Sequence, residues 1–194
     1  MRCEDHPEQE NLTLCTEKGN WEKGYIHVYT GDGKGKTTAA LGLALRAAGW
    51  GLKTYIGQFM KGSDYGELRA LQALREYIHI EQYGGPVCIR WREEPPREEV
   101  VRAQTGLAKA RQAMLSEHYD IVVLDEINVA IHFRLLSVGD LMALIRAKPP
   151  KLELICTGRK APQELIERAE LVSEMREVKH YYQQGVLARI GIER

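Results

Sequence analysis

The sequence predicts an α/β fold with a mostly parallel central sheet flanked by helices, and three observations carry that expectation. Short β-rich runs alternate with helical stretches along the chain, the pattern of strands joined by helical crossovers. Ile121-Val122-Val123-Leu124 is a continuous apolar run, which suits a strand buried on both faces of a parallel sheet. A glycine-rich turn from Thr30 to Gly35 stands between a strand-like and a helix-like stretch.

Residues 1–23 are polar and without sustained period, and read as a flexible N-terminal arm before a single domain over 24–194. Residues 25–29, Tyr-Ile-His-Val-Tyr, are rich in β formers and predict the first strand. Residues 36–48 are full of Ala and Leu and predict a helix, stopped by Gly49 and Gly51. A strand is expected over 54–59, a helix over 66–76 and a strand over 77–82. Residues 84–96 are irregular, punctuated by Gly84-Gly85-Pro86 and Pro95-Pro96. A helix over 97–118 leads to the buried strand 121–124. Helices over 138–147 and 161–169 bracket another buried strand at 152–156, with Pro162 in the first turn of the second helix. Leu171-Val172 and residues 177–181 are expected to add one or two last strands. In such sheets ligands bind at the carboxyl ends of the strands. Thr30-Gly31, Asp125-Glu126 and Thr157-Gly158-Arg159 each follow a strand, so all three are expected to meet at that edge.

The chain of 194 residues suits one domain of ordinary size, and 44% apolar content suffices for a core. Lys plus Arg and Asp plus Glu each number 27. That balance argues against a broad nucleic-acid or membrane footprint. No apolar run approaches the roughly 20 residues that span a bilayer. Residues 1–20 lack the apolar stretch of a signal peptide, so a cytoplasmic protein is expected. Cys156 lies in an apolar run and reads as core. Cys3, His6 and Cys15 could supply three metal ligands, although their spacing matches no common zinc pattern.

The chemistry concentrates in Thr30-Gly31-Asp32-Gly33-Lys34-Gly35-Lys36-Thr37-Thr38. Alternating glycines let a backbone curl and turn several N–H groups inward. The helix that follows adds its own N–H groups and the positive end of its dipole, so the segment reads as a cradle for the triphosphate of ATP. Lys36 can reach phosphate oxygens and Thr37 can ligate magnesium. The strict Walker pattern wants glycine where Thr30 stands, so it fails by one residue while the Gly-Lys-Thr-Thr core survives. Asp125-Glu126 supplies the acid expected at the end of a buried strand, where a carboxylate coordinates magnesium directly or through water. Without the loop, the same pair would read as an ordinary helix-capping acid pair.

These residues, with Ala39-Ala40, Gln58-Phe59-Met60-Lys61-Gly62, Val122 to Glu126, Thr157-Gly158-Arg159, Val172-Ser173-Glu174-Met175 and the stretch from Val178-Lys179-His180 to Gly191-Ile192, form an ordered set. Over residues 24–194 the set resembles the corrinoid adenosyltransferases of cobalamin biosynthesis and salvage, whose phosphate loop carries a similarly altered Walker pattern. The resemblance implies a RecA-like P-loop fold and transfer of the 5′-deoxyadenosyl group of ATP to the cobalt of a cob(I) corrinoid, with triphosphate leaving. It further implies magnesium or manganese, a homodimer and a reductase that supplies cob(I). Under it Thr30, Gly31, Asp32, Gly33, Lys34, Gly35, Lys36, Thr37 and Thr38 form the nucleotide loop, with Lys36 and Glu126 as catalytic groups. Thr37, Glu126 and Asp125 fall on the metal side. Arg159 is a phosphate contact or a solvated surface arginine. Lys61 and His180 match the pattern without a role, and read as a solvated charge and a core-edge histidine.

The chemistry needs no protein nucleophile or general base, because cob(I) is itself the nucleophile. The protein must position ATP and neutralise the departing triphosphate. The departure from the family falls after Tyr83, where Gly84 to Trp91 replaces an aromatic-rich segment. Trp91 either stands against the corrin ring or packs its own loop. Two other functions use the same loop: a small-molecule kinase, which would release ADP, and a non-catalytic ATP-binding module.

Overall fold

In the computed structural model, which describes residues 21–85 and 94–193, six strands form one sheet in the order β3-β2-β4-β5-β1-β6. They are β1 (Ile26–Thr30), β2 (Thr54–Phe59), β3 (Ile78–Tyr83), β4 (Ile121–Asp125), β5 (Glu153–Thr157) and β6 (Leu171–Glu174). Every pairing is parallel. Six α-helices connect them: α1 (Lys36–Gly49), α2 (Gly66–Leu71), α3 (Arg97–Leu115), α4 (Ile127–His132), α5 (Val138–Arg146) and α6 (Gln163–Arg168). The expected parallel α/β sheet flanked by helices is the architecture found.

The apolar run of β4 has a direct cause. Its alternate residues serve two cores. Val122 and Leu124 pack with α3 and α5 residues such as Met114, Leu141 and Leu144. Ile121 and Val123 pack with the helix α1 alanines on the other face. Helix α1 presents Ala40, Ala44, Ala47 and Ala48, all buried, at helical spacing. Small side chains let this helix lie close on the sheet, which positions the loop before it. Helix α5 starts on a capping box between Ser137 and Asp140. Cys156 is buried in the core, as expected, and burial pushes its thiol up to about 12.

The differences from the expected elements lie at short or edge segments. Helix α2 gives way after Leu71 to a 3₁₀ turn, Gln72–Leu74. Helix α3 ends at Leu115, where the Ser116 hydroxyl turns back onto the Ala113 carbonyl at 2.8 Å. Helix α4 was not expected, since six residues are too few to show a period. Residues 177–181 form no strand. After β6 the backbone turns onto the glycine-rich loop instead, with Met175 N–H donating to Thr30 O at 2.8 Å. A 3₁₀ turn, Tyr181–Gln184, follows. The Cys3, His6 and Cys15 ligand set lies outside the described residues.

Candidate functional site

The strand order sets the site. It places the carboxyl ends of β2, β4, β5 and β1 side by side, so segments far apart in sequence converge at one edge. A cleft of about 680 Å³ opens there, lined by loop residues 33–38, Lys61, Tyr65, Glu126, Arg159 and the C-terminal Ile192.

The loop is held from behind. Gly33 N–H donates to Met175 O at 2.6 Å. A Cβ on Gly33 would lie 2.7 Å from that oxygen and 2.8 Å from the Arg176 carbonyl, closer than carbon tolerates. Gly35 has φ 117° at the start of α1, a left-handed conformation open to glycine. The Lys36 ammonium donates to Gly31 O at 2.8 Å and Gly33 O at 2.6 Å, folding the side chain over the curl. Burial pushes its pKa down, against the opposing charge of Glu126. Asp32, Lys34 and Thr38 are exposed. Lys34 reaches Ile192 O at 3.1 Å and Glu193 at 3.8 Å. The Thr30 hydroxyl accepts from Ala161 N–H at 3.3 Å, tying the loop to the segment after β5.

Asp125 is 1% exposed and is the hub of the buried side of the site. Its Oδ1 accepts from the Thr37 hydroxyl at 2.9 Å and the Thr157 hydroxyl at 2.7 Å. Its Oδ2 accepts from Gln58 at 3.1 Å and the Lys61 ammonium at 2.9 Å. A buried carboxylate needs such donors, because an unpaired charge out of water is strongly destabilising. Glu126 has φ 61°, a left-handed backbone uncommon outside glycine, and its N–H donates to Thr157 Oγ1 at 3.0 Å. That turn puts Glu126 on the cleft wall while Asp125 points inward. Burial raises the pKa of the Glu126 carboxyl, and the neighbouring Asp125 charge adds to the rise; Lys61, Lys36 and Arg159 oppose it. Arg159 is exposed on the cleft rim.

The structure thus brings together the loop, Asp125, Glu126 and Arg159. Gly31 and Thr30 stand at the base of the loop, and Trp91 lies outside the described residues. Lys61 corrects the expectation of a solvated charge. It is paired with Asp125, and 16% of its side chain is exposed. Burial works against its ammonium, but Asp125, then Glu126 and Glu67, hold its pKa above the usual lysine value. His180 is off the core: half-buried, it lines the cleft, and its Nδ1 accepts from Tyr182 N–H at 3.0 Å. Gln58 and Thr157 also went without a role in the sequence reading. Each is a polar residue near the carboxyl end of a strand, next to the edge where ligands bind, which is the available signal.

A parallel sheet, a glycine-rich loop between β1 and α1, and a buried aspartate two strands away define a P-loop protein of RecA-like architecture. The flagellar accessory protein FlaH from Methanocaldococcus jannaschii superposes with a TM-score of 0.55 at 15% identity, over 79% of this chain and 71% of its own. That likeness concerns the fold.

The profile of the family described as ATP:corrinoid adenosyltransferase BtuR/CobO/CobP matches residues 22–194. The corrinoid adenosyltransferase of a Sinorhizobium species is 33% identical over 181 residues, 89% of this chain and 81% of that protein. The corrinoid adenosyltransferase of Escherichia coli K12 is 33% identical over 173 residues, 89% of this chain and 86% of that protein. The chain belongs to the ATP:corrinoid adenosyltransferase family, and so to the transferases.

Proposed function

We propose that this chain transfers the 5′-deoxyadenosyl group of ATP to the cobalt of a cob(I) corrinoid and releases triphosphate. The observation that carries the reading is the family match over residues 22–194, a span that contains the whole cleft. The geometry supports it. Cobalt's electron pair forms the Co–C5′ bond while the C5′–O bond breaks, and its electrons leave with the triphosphate. The need is for positive groups and N–H donors around the leaving group. The loop 33–38, Lys36, Lys34 and Arg159 stand around one cleft and meet that need. Lys36 is the group with most to gain. It rests on two loop carbonyls, so its ammonium can turn to phosphate oxygens without leaving the loop.

The donor chemistry at Thr37, Asp125 and Glu126 fits magnesium or manganese. All three offer hard oxygens, and such ions take one or two carboxylates together with substrate phosphates. Among the described residues no group of three or more His, Cys, Asp and Glu converges, so the phosphates would complete the ligand set. The ion would supply further charge to the leaving triphosphate.

Residues 24–194 are read as the catalytic domain and 1–23 as an arm. We place the protein in the cytoplasm, where a reductase supplies cob(I). No helix among the described residues is long and apolar enough to cross a membrane. A homodimer is supported by apolar side chains left exposed on β6 and after it, among them Leu171, Val172, Leu187 and Ile190.

The test is incubation with ATP, magnesium and chemically reduced cobalamin, followed by absorbance. Conversion to the adenosyl form is expected. No conversion, with ADP released as the γ-phosphoryl group passes to some other acceptor, would make the chain a kinase.

A further inference from the structure

Lys61 presents a conflict. The Thr37 hydroxyl donates its proton to Asp125, so its lone pairs are what it offers to a cation. The Lys61 ammonium already approaches that oxygen, at 3.3 Å, and sits on Asp125 Oδ2 at 2.9 Å. These are two of the oxygens that the proposed metal site uses. A divalent cation at Thr37 and an ammonium in contact with the same hydroxyl would stand a few ångströms apart with like charge, in a partly buried setting where screening is weak.

A second environment for Lys61 lies beside the first. Glu67, in the first turn of α2, is 3.9 Å from the ammonium, and the Tyr65 ring centroid is 5.4 Å away. A carboxylate and an aromatic face can both hold an ammonium. The side chain therefore reaches either set by rotating its own flexible stem. It also lines the cleft, within the space the triphosphate would fill.

We propose that Lys61 is the resident counter-ion of the metal position, and that it excludes a divalent cation until a triphosphate arrives. It neutralises Asp125 in the nucleotide-free protein. When ATP enters, its phosphates supply the negative charge that lets the ammonium turn outward and the metal take Thr37. Metal and nucleotide then bind as a unit rather than metal first. This inference rests on the metal reading above.

The test is Mn²⁺ binding by electron paramagnetic resonance, with and without ATP, on the full chain. Wild type is expected to bind Mn²⁺ weakly without ATP and tightly with it. Lys61→Met should strengthen nucleotide-free binding by about tenfold or more, the scale of one partly screened charge pair. Lys61→Arg should behave as wild type, because it keeps the charge. Lys61→Gln serves as a second neutral variant should methionine disturb folding, with circular dichroism as the check. Mn²⁺ should also raise the melting temperature of the neutral variants, and not of wild type, in the absence of ATP. Unchanged or weaker nucleotide-free Mn²⁺ binding in folded neutral variants, with normal binding in the presence of ATP, would overturn the role of Lys61 alone. Loss of Mn²⁺ binding even with ATP in wild type would overturn the metal reading and this inference together.

Discussion

At the scale of single residues, the site is a set of charges held by donors from several strands. Lys36 is buried and bonded to two loop carbonyls, whereas Lys34 is exposed and bonded to the C-terminal segment. Their roles should separate accordingly. Lys36→Ala is expected to lower kcat/KM for adenosyl transfer by about 10²-fold or more, as for removal of one preorganised group facing developing charge. Circular dichroism should show the fold unchanged, and retained activity would remove the loop lysine from the chemistry. Glu126 gives a test of sign. Its pKa is raised by burial and by Asp125, so the folded state binds the proton more tightly than the unfolded state does. Its contribution to stability is then fully present below the unfolded pKa and is lost as pH rises through the folded one. Glu126→Gln should therefore melt above wild type at pH 7 without metal or nucleotide, and the margin should shrink towards pH 4. A variant that melts lower at pH 7 would show that the carboxylate stabilises the fold instead. Residue-level reading of the sequence reached Lys36, Thr37, Asp125 and Glu126, because motif and strand end are local features. Lys61 escaped it. Its partner is 64 residues away, and only the adjacency of β2 and β4 brings the two together.

At the scale of elements, the loop is precise because the helix behind it is close to the sheet. Ala44 of α1 is fully buried against the sheet, in a cluster with Val123 and Ile155. Ala44→Leu has no room and is expected to destabilise by about 1–3 kcal/mol, read as a lower midpoint in urea. Because α1 carries Lys36 and Thr37 at its start, the same change should raise KM for ATP. A neutral effect on both would mean that α1 packing does not set the loop. The central strands were legible in the sequence, because a strand's apolar or β-rich character shows within five or six residues: β2 falls at 54–59 as expected, and β4 and β5 differ by a residue at their ends. Helix α4 was not, because its six residues cover under two helical turns and show no period, and the segment after β6 looks strand-like by composition. Met175, just ahead of it, bonds to Thr30 and Gly33, and within the segment Val178 N–H turns back to Arg176 O rather than to a further strand, a tertiary choice with no local signature.

At the scale of the whole molecule, topology does what no single motif can. The order β2-β4-β5-β1 lines up four strand ends, and the buried carboxylate of Asp125 at the end of β4 collects donors from the other three: Gln58 on β2 and Lys61 beyond it, Thr157 on β5 and Thr37 after β1. The C-terminal segment closes the remaining side. Met175 braces Gly33, and Lys34 meets Ile192 and Glu193. The C-terminal end of the described residues is thus built into the nucleotide side of the cleft, which agrees with a family match reaching residue 194. The corrinoid side was the part least legible in the sequence. Trp91 was the candidate there, and residues 86–93 lie outside the described part of the structure. The central proposal is that this cleft grips a leaving triphosphate whole. Phosphorus NMR of a single-turnover reaction with ATP, magnesium and chemically reduced cobalamin tests it most directly. Intact triphosphate, formed in step with the adenosylated corrinoid, is the expected product. ADP with inorganic phosphate or a phosphorylated acceptor, and no adenosylated corrinoid, would contradict it.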